Sequence, residues 1–447
     1  MKSLPKTPNV DELMAEKLKD MPVEKLKKLF SIRIDMPGGV YPHYEKLKRM
    51  PPPQGLTPEE HWMGVKNARQ SARRNVDLFQ KDGSRFWFTE PSCVRARLSR
   101  LDKRAAGSIA TDGYELNRNE QERYFARSLI EEPFSSSVLE GAATTRQIAK
   151  EMIEAERLPR TKDERMVLNN YRAMRYVKSI VNQKLTPKII LDIHRIVCDG
   201  TMDDGAKCGV FRCNEDQVTV QDELSGEILH YPPDASQLPD RIQEICDFAN
   251  TDDSDENFIH PLIRGIIIHF MIGYDHPFVD GNGRTARALF YWYVVKNGYW
   301  ILEYVSISKT IMKAPSKYGK AYLQTESDYG DLTYFIMHQL DVLEDALKDL
   351  FEYVKLRKSK LDAFAHALND QSINHRQSFV LNEAARNRIR YITIAQHEKT
   401  HNVAYLTARK DLEELVSAGY FKKRKDGREN VYIPSPGLLE RLTSSSK

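Results

Sequence analysis

The segment from Tyr274 to Leu289, YDHPFVDGNGRTARAL, constrains this 447-residue chain more than any other. It joins two runs of helical periodicity, residues 261–273 and 282–297, so the turn Gly281-Asn282-Gly283 lies where a loop enters a helix. The first turn of a helix has N–H groups without partners inside the helix and carries the positive end of the macrodipole. Glycines let an anion approach that backbone closely. A fold that holds this segment therefore offers an anion hole. Arg284 and Arg287, three residues apart, project from nearly one face, where two guanidinium forks can hold successive phosphates. Asp280 supplies a hard oxygen ligand suited to Mg²⁺ or Mn²⁺ bridging those phosphates. His276, at the start of the loop, can act as a general base near neutral pH. Singly, a histidine is usually structural, an Asp-Gly usually a turn and an arginine pair usually a solvated helix face. The ordered set has far fewer accidental explanations.

Around this segment the pattern is mainly α. Residues 1–60 mix charged helical stretches with the breakers Pro37-Gly38-Gly39 and Pro51-Pro52-Pro53 and read as an arm or linker. Residues 61–184 read as a helical N-terminal domain, with apolar periodicity over 147–158 and 165–180. A core over 185–355 opens with Thr186-Pro187, a cap followed by proline in the first helical turn, and predicts a helix over 188–198. Within it, Val218-Thr219-Val220, a turn at Leu224-Ser225-Gly226-Glu227 and Ile228-Leu229-His230-Tyr231 predict a β-hairpin. Helices are expected again over 237–250 and 332–353. Residues 375–440 differ: 386–428 carry eleven Lys/Arg against five Asp/Glu, and helix, turn, helix and two strands around Asp426-Gly427 form the pattern of a small α+β winged helix-turn-helix.

Lys plus Arg total 67 against 63 Asp plus Glu, so the net +4 does not make the whole chain a polyanion binder. The five cysteines (Cys93, Cys198, Cys208, Cys213, Cys246) contain one close pair with no second pair to complete a zinc site, and are expected to be buried, reduced thiols. The first twenty residues lack the apolar run of a signal peptide, and the longest apolar stretch, 265–274, is too short to span a bilayer. The expectation is a cytoplasmic protein without a membrane partner.

His276 through Arg287 resemble the Fic family, whose signature HxFx(D/E)GNGRxxR they match at every specified position. The resemblance implies a Fic-type helical bundle with a β-hairpin flap and transfer of AMP from ATP to Ser, Thr or Tyr of a target protein. It implies that His276 takes the proton from the attacking hydroxyl, Asp280 holds the metal and Arg287 the γ-phosphate. Asn282 with the Gly281 and Gly283 backbone would form the anion hole, Arg284 would hold phosphate, and Phe278 would anchor the loop in the core. Gly209-Val210-Phe211-Arg212 and the hairpin over about 218–231 resemble the family's flap, along which an extended target segment docks. Near the adenine the family often has two adjacent tyrosines. Here Tyr318-Gly319 stands instead, with Tyr318 or Tyr322 as candidates to line the base pocket. His269 reads as structural.

Ser136 to Gly141, SSVLEG, resembles the family's inhibitory motif (S/T)xxxE(G/N), with Ser136 and Glu140 at the specified positions. A carboxylate at Glu140 that paired with Arg287 would occupy the guanidinium needed for the γ-phosphate. The competing reading is a helix-surface glutamate beside a C-capping glycine. In the C-terminal segment a recognition helix over 404–418 would present Tyr405, Thr407, Arg409 and Lys410, with a basic wing over 422–428. Asp411, Glu413 and Glu414 on that helix speak equally for a protein partner. Removal of AMP from a modified protein, and an ATP-sensing DNA-binding regulator, are the alternative functions. Self-modification and homo-oligomer formation are left open.

Overall fold

The computed structural model describes residues 2–106, 110–111, 114–115, 128–222, 225–252, 258–369, 373–385, 389–426 and 429–438. The chain divides into two units, Met1–Asp349 and Leu350–Lys447. Both are mainly helical.

The first unit is built on two consecutive helices, Pro261–Asp275 and Asn282–Lys296, in which nearly every side chain is buried. A helix that is apolar on all sides belongs in a core, and these two pack on each other and on the helices around them. Pro187–Cys198 begins as its sequence predicts: Pro187 occupies the first turn and Thr186 Oγ1 accepts from the Ile189 N–H at 3.3 Å. Glu131–Leu139, Lys162–Ser179 and Leu238–Asn250 complete this shell. The helix expected over 332–353 runs as Thr333–Asn369.

Three expectations change. Within the stretch expected to be mostly helical, Arg74–Phe79 and Arg85–Phe88 form an antiparallel hairpin. Its Phe86 ring meets Phe270 and Tyr274 at 5.5 and 5.1 Å, so the hairpin braces the end of the first central helix. Residues 1–60 are not a free arm or linker but part of the first unit. Thr7 Oγ1, Lys66 Nζ and the Tyr334 hydroxyl all donate to the buried Asp328 carboxylate at 2.7–2.8 Å, while the Tyr41 hydroxyl donates to Asp331 at 2.7 Å. Buried carboxylates need such donors, and the N-terminal residues supply part of the set. All five cysteines are free, but Cys198 and Cys246 alone are buried. Cys93 and Cys208 are half-buried and Cys213 is exposed on a polar turn.

The predicted hairpin is present as Val220–Gln221 paired with Ile228–His230, with a bulge between the two registers. Leu224 lies outside the described residues.

In the second unit, helices His375–Ala385, Ile394–His401 and Tyr405–Ser417 pack on a three-stranded antiparallel sheet ordered Ile392–Thr393, Glu429–Pro434, Phe421–Asp426. Leu381, Ala408, Leu412, Phe421 and Tyr432 fill its core. Arg386, Gly427 and Arg428 lie outside the described residues. No helix among the described residues is long and apolar enough to cross a membrane.

Candidate active site

The helix Pro261–Asp275 stops because His276 turns into the left-handed region at φ 45°, ψ 56°, its N–H still donating to Ile272 O. A non-glycine residue pays for that conformation in steric strain, and such residues cluster where side-chain direction matters. His276 Nδ1 lies 3.3 Å from the Gly273 carbonyl, which can only accept, so Nδ1 carries the proton and Nε2 keeps its lone pair. Burial among protein atoms is the main cause that pulls the imidazole from its ordinary 6.5 to about 4. The ring is therefore neutral at physiological pH.

The loop that follows is held rigidly. Phe278 is fully buried and stacks face to face on His194, with centroids 3.7 Å apart and planes within 2°. Asn282 closes the loop with both ends of its amide: Nδ2 donates to Phe278 O at 2.7 Å and Oδ1 accepts from the Phe278 N–H at 2.9 Å. The resemblance implied that Asn282 contributes to the anion hole, but its side chain is spent on this clamp. The Gly281 N–H is also engaged, donating to Asp280 Oδ1 at 2.5 Å. The anion-facing backbone thus centres on Gly283. A Cβ there would collide with the Glu140 carboxylate and lie 2.9 Å from Arg287 Nη1. Truncating Phe278 to alanine should cost about 3–5 kcal/mol of unfolding free energy, as for other buried aromatic rings. Urea denaturation should show a lower midpoint with unchanged slope, and Phe278→Leu should lose far less.

The two arginines have different surroundings. Arg284 is buried, with Nη1 donating to Val197 O at 3.0 Å and Nη2 to Asp280 Oδ2 at 3.1 Å. Arg287 Nε and Nη2 donate to Ser136 Oγ at 3.0 and 2.8 Å, and Nη2 donates to Glu140 Oε1 at 2.9 Å. Glu140 closes the helix Glu131–Leu139, and Gly141, at φ 90°, turns the chain away. The Gly141 N–H donates to Val138 O and the Ala142 N–H to Ser137 O, a complete Schellman cap. The capping glycine and the Arg287 pair coexist. A carboxylate at a helix C-terminus faces the negative end of the dipole, so the cap alone does not favour an anion there. Arg287 does, at the start of Asn282–Lys296 beside Gly283. Glu140 Oε1 thus occupies a donor of Arg287 beside Gly283.

Asp280 is exposed, with one oxygen shared with Arg284. Among the described residues no three His, Cys, Asp or Glu side chains gather into a metal cage. One accessible hard carboxylate fits a Mg²⁺ ion whose other ligands are phosphate and water oxygens. Tyr318 and Tyr322 are half-buried: the Tyr318 hydroxyl lies 2.9 Å from His269 Nε2 and 3.4 Å from the Tyr322 hydroxyl, and Tyr322 stacks on Phe270. Burial, opposed by nearby Arg287, raises the Tyr318 hydroxyl above its ordinary value, so it stays protonated.

Two further residues position the loop: His194, which nothing in the local sequence marks, and Arg212, which lies in the stretch that leads into the hairpin. His194 is held neutral, lowered to about 4 mainly by burial. Its Nδ1 accepts from the Gly209 N–H at 2.9 Å and its Nε2 donates to Asp280 O at 2.8 Å, tying the lead into the hairpin to the loop. Arg212 performs the same service from the other side, donating to His276 O at 2.8 Å and Pro233 O at 2.6 Å.

Residues 184–294, which hold the loop and both central helices, match the Fic/DOC family. That stretch is similar to a Fic/DOC domain. Protein adenylyltransferase Fic of Drosophila mojavensis is 31% identical over 210 residues, 45% of this chain and 38% of the relative. The protein of the same name from Drosophila willistoni is 31% identical over 210 residues, covering 45% and 39%. The chain thus spans about two fifths of the length of these curated relatives. A crystal structure of a Fic family protein from Desulfovibrio desulfuricans matches with a TM-score of 0.49 at 16% identity, covering 77% of this chain and 95% of that one. The matched residues include His276, Asp280, Arg284 and Arg287, whereas Ser136 and Glu140 lie before them.

Proposed function

We propose that the chain transfers AMP from ATP to a serine, threonine or tyrosine hydroxyl of a target protein, and that Glu140 restrains this activity. The observation that carries the reading is the neutral His276, its Nε2 lone pair available, at the mouth of a helix start lined by Gly283, Arg284 and Arg287.

The triphosphate lies along the first turn of Asn282–Lys296, where backbone dipoles and the guanidinium groups of Arg287 and Arg284 offset its charge. The target hydroxyl is presented to the α-phosphorus opposite the bond to the β-phosphate. As the oxygen–phosphorus bond forms, His276 Nε2 takes the hydroxyl proton, and the α–β bridging bond breaks to release pyrophosphate. A Mg²⁺ ion at Asp280, when bound, neutralises charge on the phosphates. Loop rigidity from Phe278, Asn282, His194 and Arg212 keeps the base and the phosphates in register. The strand pair at Val220–Gln221 and Ile228–His230 offers backbone groups along which an extended target segment can align.

The test is intact-protein mass spectrometry after incubation with ATP and Mg²⁺, alone and with cell extract. An AMP-sized addition to this chain or to an extract protein supports the reading. Release of AMP from a pre-modified protein, with no addition to any unmodified one, overturns it in favour of AMP removal.

The proton affinity of His276 sets the pH dependence. A base at about 4 is competent above that value and is lost as pH falls through it. The single-turnover rate should stay flat from about pH 6 to 8 and drop only near pH 4, whereas an ordinary imidazole would lose half its rate near 6.5.

A further inference from the structure

In the second unit each carboxylate of helix Tyr405–Ser417 has a partner on another element. Asp411 is buried: Arg376 Nε and Nη2 donate to it at 2.7 and 3.0 Å, Asn374 at 2.8 Å, and His397 Nε2 lies at 3.1 Å. Glu413 accepts from Lys423 Nζ at 2.5 Å and from the Tyr432 hydroxyl at 3.0 Å. Glu414 accepts from Gln377 Nε2 at 2.7 Å. The three carboxylates that speak for a protein partner are thus each engaged by another element of the same unit.

The outer face carries Glu414, exposed but held by Gln377, and beside it a larger set of basic and neutral side chains. Thr407, Arg409 and Lys410 are exposed, together with Tyr405 and Leu406 at 52% and 75% exposure. Arg409 and Lys410 stand 4.0 and 3.9 Å from Glu413 and Glu414, the outer edge of ion pairing, so neither charge is cancelled at close range. On the strand that follows, Lys422, Arg424 and Lys425 are exposed.

We propose that this face binds duplex DNA, with helix Tyr405–Ser417 in the major groove and the strand Phe421–Asp426 alongside the phosphate backbone. A helix is about 10–12 Å wide with its side chains and the groove about 12 Å, so the helix enters along its exposed side. Arg409 and Thr407 carry donors that reach base edges, and Lys410, Lys422, Arg424 and Lys425 carry the point charges that phosphates accept. Leu406 and the Tyr405 ring supply apolar surface for sugars and thymine methyl groups. The proposal is independent of AMP transfer.

The test is fluorescence anisotropy of the full chain with a labelled random-sequence duplex of about 30 base pairs. If four phosphates are neutralised, log affinity falls against log salt with a slope of about −3.6, so raising KCl from about 50 to 200 mM weakens binding about 100-fold. Arg409→Gln with Lys410→Gln should weaken binding and, through the one phosphate contact of Lys410, flatten the slope by about 0.9. Arg424→Gln with Lys425→Gln, on the strand, tests the same face through a different element. Circular dichroism verifies that each variant is folded. No duplex binding at low salt, binding indifferent to salt, or undiminished binding by both variants overturns the proposal. A wild-type dimer that either variant converts to monomer, with no DNA bound, assigns the face to a second protein copy instead.

Discussion

Glu140→Gly should raise the rate of AMP transfer by about 10- to 150-fold at limiting ATP. The range follows from the about 1.5–3 kcal/mol that a hydrogen bond to a charged group contributes, converted at 1.4 kcal/mol per factor of ten. In the wild-type chain Arg287 Nη2 donates to Glu140 Oε1 at 2.9 Å, and the same carboxylate crowds Gly283. Glycine at 140 removes the anion, leaves Ser136 on the guanidinium and opens the start of Asn282–Lys296 to phosphate. Glu140→Gln separates charge from bulk: it keeps the volume, loses the ion pair and should give an intermediate rise. Gel-resolved transfer of labelled AMP measures all three proteins side by side. Equal rates in wild type and Glu140→Gly would leave the contact as a structural pair and nothing more.

His276→Ala should lower the transfer rate about 10²- to 10⁴-fold, the usual contribution of a positioned base, while leaving nucleotide affinity nearly unchanged. Affinity is expected to survive because Arg287 and the helix start do not depend on the imidazole. The substitution also places alanine at φ 45°, which costs strain, so a loss of activity alone would be ambiguous. His276→Asn resolves this, since asparagine tolerates the left-handed region far better and still cannot accept a proton at neutral pH. Both variants should be folded, bind ATP and fail to transfer. Full activity in His276→Asn would remove the imidazole from the reaction. Both measurements are best made in the Glu140→Gly background, where the nucleotide is not in competition with a carboxylate.

Much of the candidate site was legible because its chemistry is local in sequence. A glycine turn entering a helix, two arginines three residues apart and a histidine at the preceding helix end need no tertiary knowledge to be placed together. Of the residues that hold the loop, Phe278 was expected as its anchor, but its distant partners were not legible. His194 reaches Asp280 across 86 positions and Arg212 reaches His276 across 64, and nothing in either neighbourhood marks the partner. For Asn282 the difficulty is the opposite: its partner, Phe278, is four residues away, and whether the amide clamps the backbone or faces an anion depends on how the loop folds.

The same division explains the fold. Thr186-Pro187 announces its helix through capping chemistry alone. The hairpin at Arg74–Phe88 carried a readable turn at Asp82-Gly83, outweighed by the helical periodicity on both sides. Prolines and glycines in residues 1–60 do break helices, as expected, but they say nothing of Thr7 reaching Asp328 across 321 positions. Composition separates ordered from disordered chain only when the buried partners lie nearby.

The position of Glu140 on its helix bears on how tightly the resting protein can be shut. The carboxylate sits on the C-cap residue of a nine-residue helix whose Ser135–Ser137 turn is buried but whose end, Val138–Glu140, is half-exposed. Helix ends fray with far smaller free energies than whole domains separate. If Glu140 acts as the proposed restraint, one mounted on such an end leaks: a small equilibrium fraction of molecules would have Arg287 released at any moment without any partner or signal. That fraction should grow on warming and shrink with any change that tightens the Gly141 cap. The background rate of the wild-type chain would then report the local stability of one helical turn rather than that of the protein.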